Sequence, residues 1–332
     1  MRIYFVGIGG TAIGPLAQIA KQAGHEVFGS DKQTSTYIDY LQKQGLTDIY
    51  IGDSADHIAG LHSKQPIDWV VASSAVTIEN PDHAELAFAK ANSIRVSKRD
   101  ELLNEILRMH DQKLIAIAGT HGKTTTTAMA VWLMQSLGRP ISYSVGAKIP
   151  FGDMGQFHPD SEYFIYECDE FDRNFLSFHP ALSIITGVDY DHHEIFPTRK
   201  DYVRAFAEFL DQSDRAVLWL EDVEKNQLEP AENDIVMSGE DAMIDEIDLV
   251  GRVNRKNALQ VVMAIHAMTD EPIETLLAHA SRFPGLSRRF EQIGSQKLYS
   301  DYAHTTEKIR GCLETAHELS DNIVVVYEPL TN

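Results

Sequence analysis

A short segment with the composition of a phosphate-binding loop follows the apolar residues Leu114–Ala118. It reads GTHGKTTTT and places Gly119 and Gly122 ahead of Lys123 and four consecutive threonines, Thr124–Thr127. Glycines let backbone N–H groups approach an anion closely, a lysine neutralises terminal phosphates, and a threonine hydroxyl can bind Mg²⁺. Consecutive β-branched threonines are mediocre helix formers, which argues against an ordinary turn. The segment therefore predicts a phosphate-binding loop, although its glycines enclose two residues and not the usual four.

Acidic residues and histidines follow the next two apolar runs. The first run is followed by Glu167, Asp169, Glu170 and Asp172, and the second by Asp191, His192, His193 and Glu194. Ligands bind at the carboxyl edge of a parallel sheet, where such side chains would meet. Alternation along a strand places Glu167 and Asp169 on one side, where they could bind a Mg²⁺ that bridges to phosphates. The two segments predict a metal site beside the loop, whereas the plainer interpretation is a charged strand end that caps a helix.

A glycine-rich turn also follows the first apolar run. The residues Gly7–Ala12 fit a dinucleotide-binding fingerprint with alanine at its third small position, and Asp31 lies near the place of a ribose-binding acid. This motif alone favours an NAD-dependent dehydrogenase. The second phosphate-binding loop argues against that function, because a dehydrogenase has no use for the segment 119–127.

The elements that carry these motifs alternate between strands and helices. The predicted strands are 2–8, 25–31, 68–76, 113–119, 162–170, 181–189, 214–220 and 322–329. The predicted helices are 14–23, 37–44, 81–91, 100–109, 124–137, 257–268 and 307–319. This alternation implies parallel, doubly wound sheets, so the predicted fold class is α/β. A second α/β unit begins after the polar residues 110–113, and the chain changes character again near Phe283.

The composition restricts the possible partners and compartments. The 332 residues carry a formal net charge of −20, which argues against binding to nucleic acid or to an anionic membrane. We expect neither a signal peptide nor a transmembrane helix, since no sufficiently long apolar run occurs. The two cysteines, Cys168 and Cys312, form no disulfide or zinc pattern. A cytoplasmic protein is expected, and the sequence leaves its oligomeric state open.

The loop GTHGKTTTTAM resembles that of the Mur ligases and the folylpolyglutamate synthetases, and its histidine and threonine run are closest to the Mur ligases. The resemblance extends over almost the whole chain. It implies an N-terminal Rossmann-like UDP-sugar-binding domain (1–109) and a central P-loop ATPase domain with a parallel-rich sheet (110–287). Residues 288–332 would begin an α/β C-terminal amino-acid-binding domain that is incomplete in this chain.

The resemblance also implies a function. It suggests an amide-bond ligase that uses ATP and two Mg²⁺ ions to join L-alanine to the carboxylate of UDP-N-acetylmuramate through an acyl phosphate, in peptidoglycan precursor synthesis. The segments SSA, SKRDELL and DRNFLSFHP favour L-alanine as acceptor. Phe171, DHHEIF and YEPLTN favour instead a recycling ligase that attaches the tripeptide L-Ala-γ-D-Glu-meso-diaminopimelate. A third possibility is a protein that binds nucleotide or UDP-sugar without ligase activity, because the third domain would be largely missing.

Roles for individual residues follow from matching positions in the family. The catalytic residues would be Lys123, Glu167 and His192, and the Mg²⁺ ligands Thr124, Glu167 and His192. The ATP-binding residues would be Gly119, Thr120, His121, Gly122, Lys123, Thr124, Thr125, Asn257, Arg289 and Asp301. The UDP-sugar-binding residues would be Gly9, Gly10, Thr11, Asp31, Ser73 and Ser74. The chain departs from the family at Val253 and Thr305, where histidines are usual, and at Cys168, which we interpret as a packing residue in place of alanine.

Overall fold

The computed structural model describes residues 1–52, 54–73, 76–77, 80 and 82–328, and the predicted site residue Ser74 lies outside these ranges. The chain divides into two compact units. Unit 1 comprises Met1–Lys113, Pro140–Gly146 and Met154–Phe164. Unit 2 comprises Leu114–Arg139, Ala147–Asp153 and the described residues from Ile165 onward.

Unit 1 contains a parallel five-stranded sheet. Its strands are β1 (Arg2–Val6), β2 (Glu26–Asp31), β3 (Ile49–Ile51), β4 (Trp69–Ala72) and β5 (Arg95–Ser97). Its helices are α1 (Ile13–Gln22), α2 (Thr36–Lys43), α3 (Asp56–Lys64), α4 (Ala84–Ala91) and α5 (Arg99–Met109). The strand order β3-β2-β1-β4-β5 is that of a Rossmann-type half, in which the order reverses between β1 and β4. All five residues of β1 are buried, as expected for a parallel strand covered on both faces.

Unit 2 is built on a second sheet, in which the strands lie in the order β12-β11-β10-β6-β9. These strands are β6 (Lys113–Ala118), β9 (Tyr163–Glu167), β10 (Leu182–Ile185), β11 (Ala216–Trp219) and β12 (Ile235–Met237). β10 pairs in parallel with β6 and β11, and β11 pairs in parallel with β12. The antiparallel pair β7 (Ser142–Ser144) and β8 (Gly155–Gln156) is assigned to unit 1. The predicted α/β fold class is confirmed.

Helices and short elements complete unit 2. The helices are α6 (Lys123–Ser136), α7 (Arg199–Asp211), α8 (Leu220–Asn226), α9 (Arg252–Thr269), α10 (Ile273–Ala280) and α11 (Thr306–Leu319). Two 3₁₀ segments lie at Phe171–Ser177 and Ala242–Glu246, and β13 (Glu291–Gln292) pairs antiparallel with β14 (Tyr299–Ser300). No helix in the described part of the chain has both the length and the apolar character needed to cross a membrane.

The predicted strand at 322–329 is wrong over the residues that the structure describes. Residues 322–328 form no regular element, and Val324 and Val326 are 96% and 95% exposed. A strand needs a neighbour to which its backbone can donate and accept hydrogen bonds. The described residues provide none here, so the β-branched composition of the segment does not produce a strand.

Candidate functional site

The segment GTHGKTTTT forms a turn between the end of β6 and the start of α6. Gly119 and Gly122 have φ values of +135° and +83°, a region that favours glycine. A Cβ on Gly119 would also lie 2.9 Å from the backbone nitrogen of Thr186, so a larger residue would not fit. Lys123 is the first residue of α6, and the unpaired N–H groups of the first helical turn point out of the helix there. This geometry is the one in which a helix N-terminus binds phosphate.

A buried carboxylate holds the lysine of the loop. Lys123 Nζ donates to Glu170 Oε2 at 2.7 Å and to the carbonyl oxygen of Gly119 at 2.6 Å. The Glu170 side chain is 0% exposed and that of Lys123 is 15% exposed. Burial opposes the ionisation of Glu170, but Lys123 and the nearby imidazole of His192 outweigh it and lower the pKa of Glu170 to about 2. Burial likewise opposes the charge of Lys123, and the neighbouring carboxylates raise its pKa. Both groups are therefore charged at neutral pH.

Two groups of potential metal ligands lie beside this ion pair. Thr124 Oγ1 donates to Glu167 Oε1 at 2.8 Å. The donor atoms of Asp169, Glu170 and His192 all lie within 4.8 Å of one another, with His192 Nε2 3.4 Å from Glu170 Oε1. Carboxylate and hydroxyl oxygens are the ligands that Mg²⁺ prefers, so the donor set fits that ion. The predicted ligands are thus divided, since Thr124 lies with Glu167 whereas His192 lies with Asp169 and Glu170.

His192 has an unusual backbone conformation. Its φ of +55° lies in the left-handed region, which costs a residue with a side chain about 1 kcal/mol or more. Its imidazole lies between two carboxylates, with Nδ1 3.5 Å from Glu194 Oε1. The interaction with the Glu170 carboxylate is the largest of the effects that raise the pKa of His192. Strain of this kind persists where the surrounding structure enforces it, and it is concentrated at functional sites.

The loop opens onto a cavity of about 320 Å³ in unit 2. Its lining includes the predicted ATP-site residues Thr120, His121, Gly122, Lys123, Thr124, Thr125, Asn257, Arg289 and Asp301. Asp301 Oδ2 accepts the backbone N–H of Phe290 at 2.7 Å, which joins the segment of Asp301 to that of Arg289. The cavity volume lies in the range of small-molecule sites. The structure therefore gathers residues from three distant parts of the sequence at the phosphate-binding turn.

In unit 1, the glycine-rich turn follows β1 at the point where the strand order reverses. Gly7 has a φ of +78°, and a Cβ there would lie 3.2 Å from Cβ of Ser73, which follows β4. Asp31 Oδ2 accepts the backbone N–H of Gly9 at 2.9 Å, so the predicted ribose-binding acid also supports the turn. The predicted residues Gly10 and Thr11 continue the turn into α1. Ligands bind in such crevices at the carboxyl ends of the strands.

Comparison with known proteins identifies the family. A family model described as "Mur ligase family, catalytic domain" matches residues 2–111, and one described as "Mur ligase middle domain" matches residues 117–242. The UDP-N-acetylmuramate–L-alanine ligases of Oleidesulfovibrio alaskensis and Agathobacter rectalis are both 30% identical to this chain. These alignments cover 99% and 100% of this chain and 77% and 78% of the two relatives. The chain belongs to the Mur ligase family.

Solved structures agree with this membership in the Mur ligases. The crystal structure of UDP-N-acetylmuramate–alanine ligase from Thermotoga maritima is 26% identical, has a TM-score of 0.80, and aligns over 97% of this chain and 79% of its own. The ligase for L-alanyl-γ-D-glutamyl-meso-diaminopimelate from Neisseria meningitides shares the fold, with a TM-score of 0.72 at 23% identity over 86% of this chain and 99% of its own. Mur ligases are ATP-dependent, and this chain is accordingly an ATP-dependent ligase.

Two residues of this Mur ligase site stand out only in the structure. The sequence offers Glu170 as one of four candidate carboxylates, but alternation along the strand favours Glu167 and Asp169. β9 ends at Glu167, so the alternation does not extend as far as Glu170, which precedes the 3₁₀ segment. Lys308 is the second residue, and it lines the cavity. From the sequence it is only a residue of the predicted helix 307–319, and no motif marks it as a site residue.

Proposed function

We propose that this protein joins L-alanine to the carboxylate of UDP-N-acetylmuramate at the expense of ATP, in peptidoglycan precursor synthesis. The observation that carries the proposal is that Lys123, which is ion-paired with Glu170, lines the same cavity as Asn257, Arg289 and Asp301. A lysine at a helix N-terminus beside carboxylates and a nucleotide-sized cavity suits phosphoryl transfer. The named relatives support L-alanine and UDP-N-acetylmuramate as the substrates.

The proposed reaction has two steps. A carboxylate oxygen of the UDP-sugar attacks the γ-phosphorus of ATP, the bond to the bridging oxygen breaks, and ADP leaves as an acyl phosphate forms. The amine of L-alanine then attacks the acyl carbon and loses a proton, and inorganic phosphate leaves with the electrons of the C–O bond. Two anions must meet in the first step, so Lys123 and Arg289 would offset their repulsion while the cavity holds the nucleotide in place.

The metal ligands are part of the same proposal. We assign one Mg²⁺ to Thr124 and Glu167 and a second to His192 with Asp169 and Glu170. Bound Mg²⁺ would neutralise charge on the transferring phosphoryl group. Glu170 also holds Lys123 in place through the ion pair at 2.7 Å.

We assign the UDP-sugar to the glycine-rich turn of unit 1, with Gly9, Gly10, Thr11, Asp31, Ser73 and Ser74 as its binding residues. We also propose that the domain boundaries are those predicted from the sequence, at 1–109, 110–287 and 288–332. Titration calorimetry with UDP-N-acetylmuramate and with NADH tests the assignment. Micromolar binding of NADH without any response to the UDP-sugar would contradict it.

The role of Lys123 can be tested by Lys123→Ala. The variant should lose at least a hundredfold in ATP turnover, because one charge-assisted contact to a transferring phosphoryl group contributes about 3 kcal/mol. Its affinity for UDP-N-acetylmuramate should be unchanged, since the glycine-rich turn belongs to unit 1. Lys113→Ala is the matched control, because Lys113 is exposed and paired with Glu162. Normal ATP turnover by Lys123→Ala would refute the assignment of the phosphate lysine.

The acceptor is tested by phosphate release from ATP in the presence of UDP-N-acetylmuramate. L-Alanine, glycine, L-serine and L-Ala-γ-D-Glu-meso-diaminopimelate are supplied in parallel. We expect release only when both the UDP-sugar and an amine are present, with L-alanine preferred. Turnover with the tripeptide alone would assign the protein to the recycling ligases, and the roles proposed for Lys123 and the metal ligands would stand.

A further inference from the structure

A third cation lies at the cavity beside the phosphate-binding loop. Lys308, in the first turn of α11, lines the same cavity as Lys123 and Arg289. Its side chain is half-buried, and among the described residues no carboxylate lies within ion-pair distance of it. Lys308 Nζ lies 3.5 Å from Nε2 of His304. A partly buried cation without an anionic partner is costly, so the arrangement suits a ligand that supplies the anion.

One face of α11 brings Lys308 to the cavity. The residues of this face that line the cavity are Lys308, Gly311, Cys312 and Thr315. Their spacing of three, one and three residues is that of a single helical face. The C-terminal part of α11 is fixed by Glu318, whose carboxylate oxygens accept the backbone N–H groups of Gly251 and Arg252 at 3.0 Å each. Lys308 is therefore placed by the packing of its helix.

The charges around Lys308 favour a highly charged anion. Burial and the neighbouring cations Lys123 and Arg289 lower its pKa, and they outweigh the opposite effects of Asp191 and Glu170. Cations that share one cavity repel one another, so an anion among them gains attraction and also relieves that repulsion. Two acids, Asp301 and Glu307, line the cavity too, which disfavours weakly charged anions. A polyphosphate has enough charge to compensate several cations at once.

We propose that Lys308 binds the polyphosphate chain of ATP together with Lys123 and Arg289. The proposal rests on the proposed ATP-dependent function and adds to the phosphate site a residue from α11. A lysine acts toward phosphate as a flexible point charge, which suits a polyphosphate chain that several cations contact.

The experiment compares ligands with and without phosphates. Titration calorimetry measures the binding of ATP and of adenosine to the wild type, Lys308→Gln, Lys308→Arg and Arg310→Gln. Lys308→Gln should raise the Kd for ATP roughly 10- to 100-fold, as expected when one charge-assisted hydrogen bond is lost, and leave the Kd for adenosine unchanged. Lys308→Arg should retain most of the ATP affinity. Arg310 is an exposed cation of the same helix outside the cavity lining, so Arg310→Gln should bind both ligands as the wild type does.

Different results would contradict either the role of Lys308 or the proposed function as a whole. Equal losses of ATP and adenosine affinity in Lys308→Gln would show that Lys308 only maintains the shape of the cavity, and the proposal would be wrong. Unchanged ATP affinity in Lys308→Gln would also overturn the proposal. A wild type that binds no ATP would overturn the proposed function itself, whereas the preceding outcomes leave it intact.

Discussion

Removal of the negative charge of Glu170 should destabilise unit 2 in a pH-dependent manner. The pKa of Glu170 falls from its ordinary value of 4.5 to about 2 in the folded protein. A tenfold change in proton affinity corresponds to about 1.4 kcal/mol, so the ionised Glu170 carboxylate, held by Lys123, His192 and the backbone together, stabilises the fold by about 3 kcal/mol at neutral pH. Glu170→Gln keeps the shape of the side chain and should lose about this amount of free energy of unfolding.

The pH dependence follows from the direction of the shift. Because the folded pKa lies below the unfolded one, the contribution is complete above pH 4.5 and is lost as the pH falls toward 2. The difference in unfolding free energy between wild type and Glu170→Gln should therefore be smaller at pH 3 than at pH 7.

Urea unfolding followed by tryptophan fluorescence measures this difference. Trp132 and Trp219 lie in unit 2 with Glu170 and report its unfolding. Glu162→Gln is the control, because Glu162 forms an ion pair with Lys113 in which both side chains are 57% exposed. This control should unfold as the wild type does at both pH values, since exposed pairs contribute little. A Glu170→Gln protein as stable as wild type at pH 7, or a deficit that stays constant down to pH 3, would refute the reasoning.

Two further predictions concern Glu85 and Glu318, whose carboxylates accept hydrogen bonds. Glu85→Ala should cost about 3 kcal/mol of unfolding free energy, because the fully buried carboxylate accepts the hydroxyls of Tyr4 at 2.6 Å and Ser30 at 2.5 Å. Glu85→Gln keeps a hydrogen-bond acceptor and cannot ionise, so it should lose about 1 kcal/mol of unfolding free energy at most. Urea unfolding measures both variants. A loss in Glu85→Gln equal to that in Glu85→Ala would contradict this account. Glu318→Ala should speed amide hydrogen exchange in α11, because its carboxylate also pairs with Arg255 at 2.9 Å; unchanged exchange there would show that other contacts hold the helix.

Local patterns determined the α/β class and the phosphate-binding loop. The residues from Gly119 to Thr124 are contiguous in the sequence. Two of them, Gly119 and Gly122, have positive φ values that favour glycine, and this requirement comes from the local backbone. The alternation of strands and helices likewise depends on short-range spacing. These features could be predicted because neighbouring residues are sufficient to produce them.

Only the tertiary structure decided which distant groups meet. Glu170 becomes the partner of Lys123 because β9 ends at Glu167 and the chain turns before the 3₁₀ segment, which no alternation rule anticipates. Lys308 reaches the cavity because α11 packs against the start of α9 through Glu318. Residues 322–328 show the converse, since the apolar run 323–327 favours a strand but a strand forms only where another chain segment completes its hydrogen bonds. Contacts between residues that are distant in the sequence depend on burial and geometry that only the whole fold determines. The sequence therefore predicted the phosphate-binding loop but not the buried ion pair of Lys123 with Glu170.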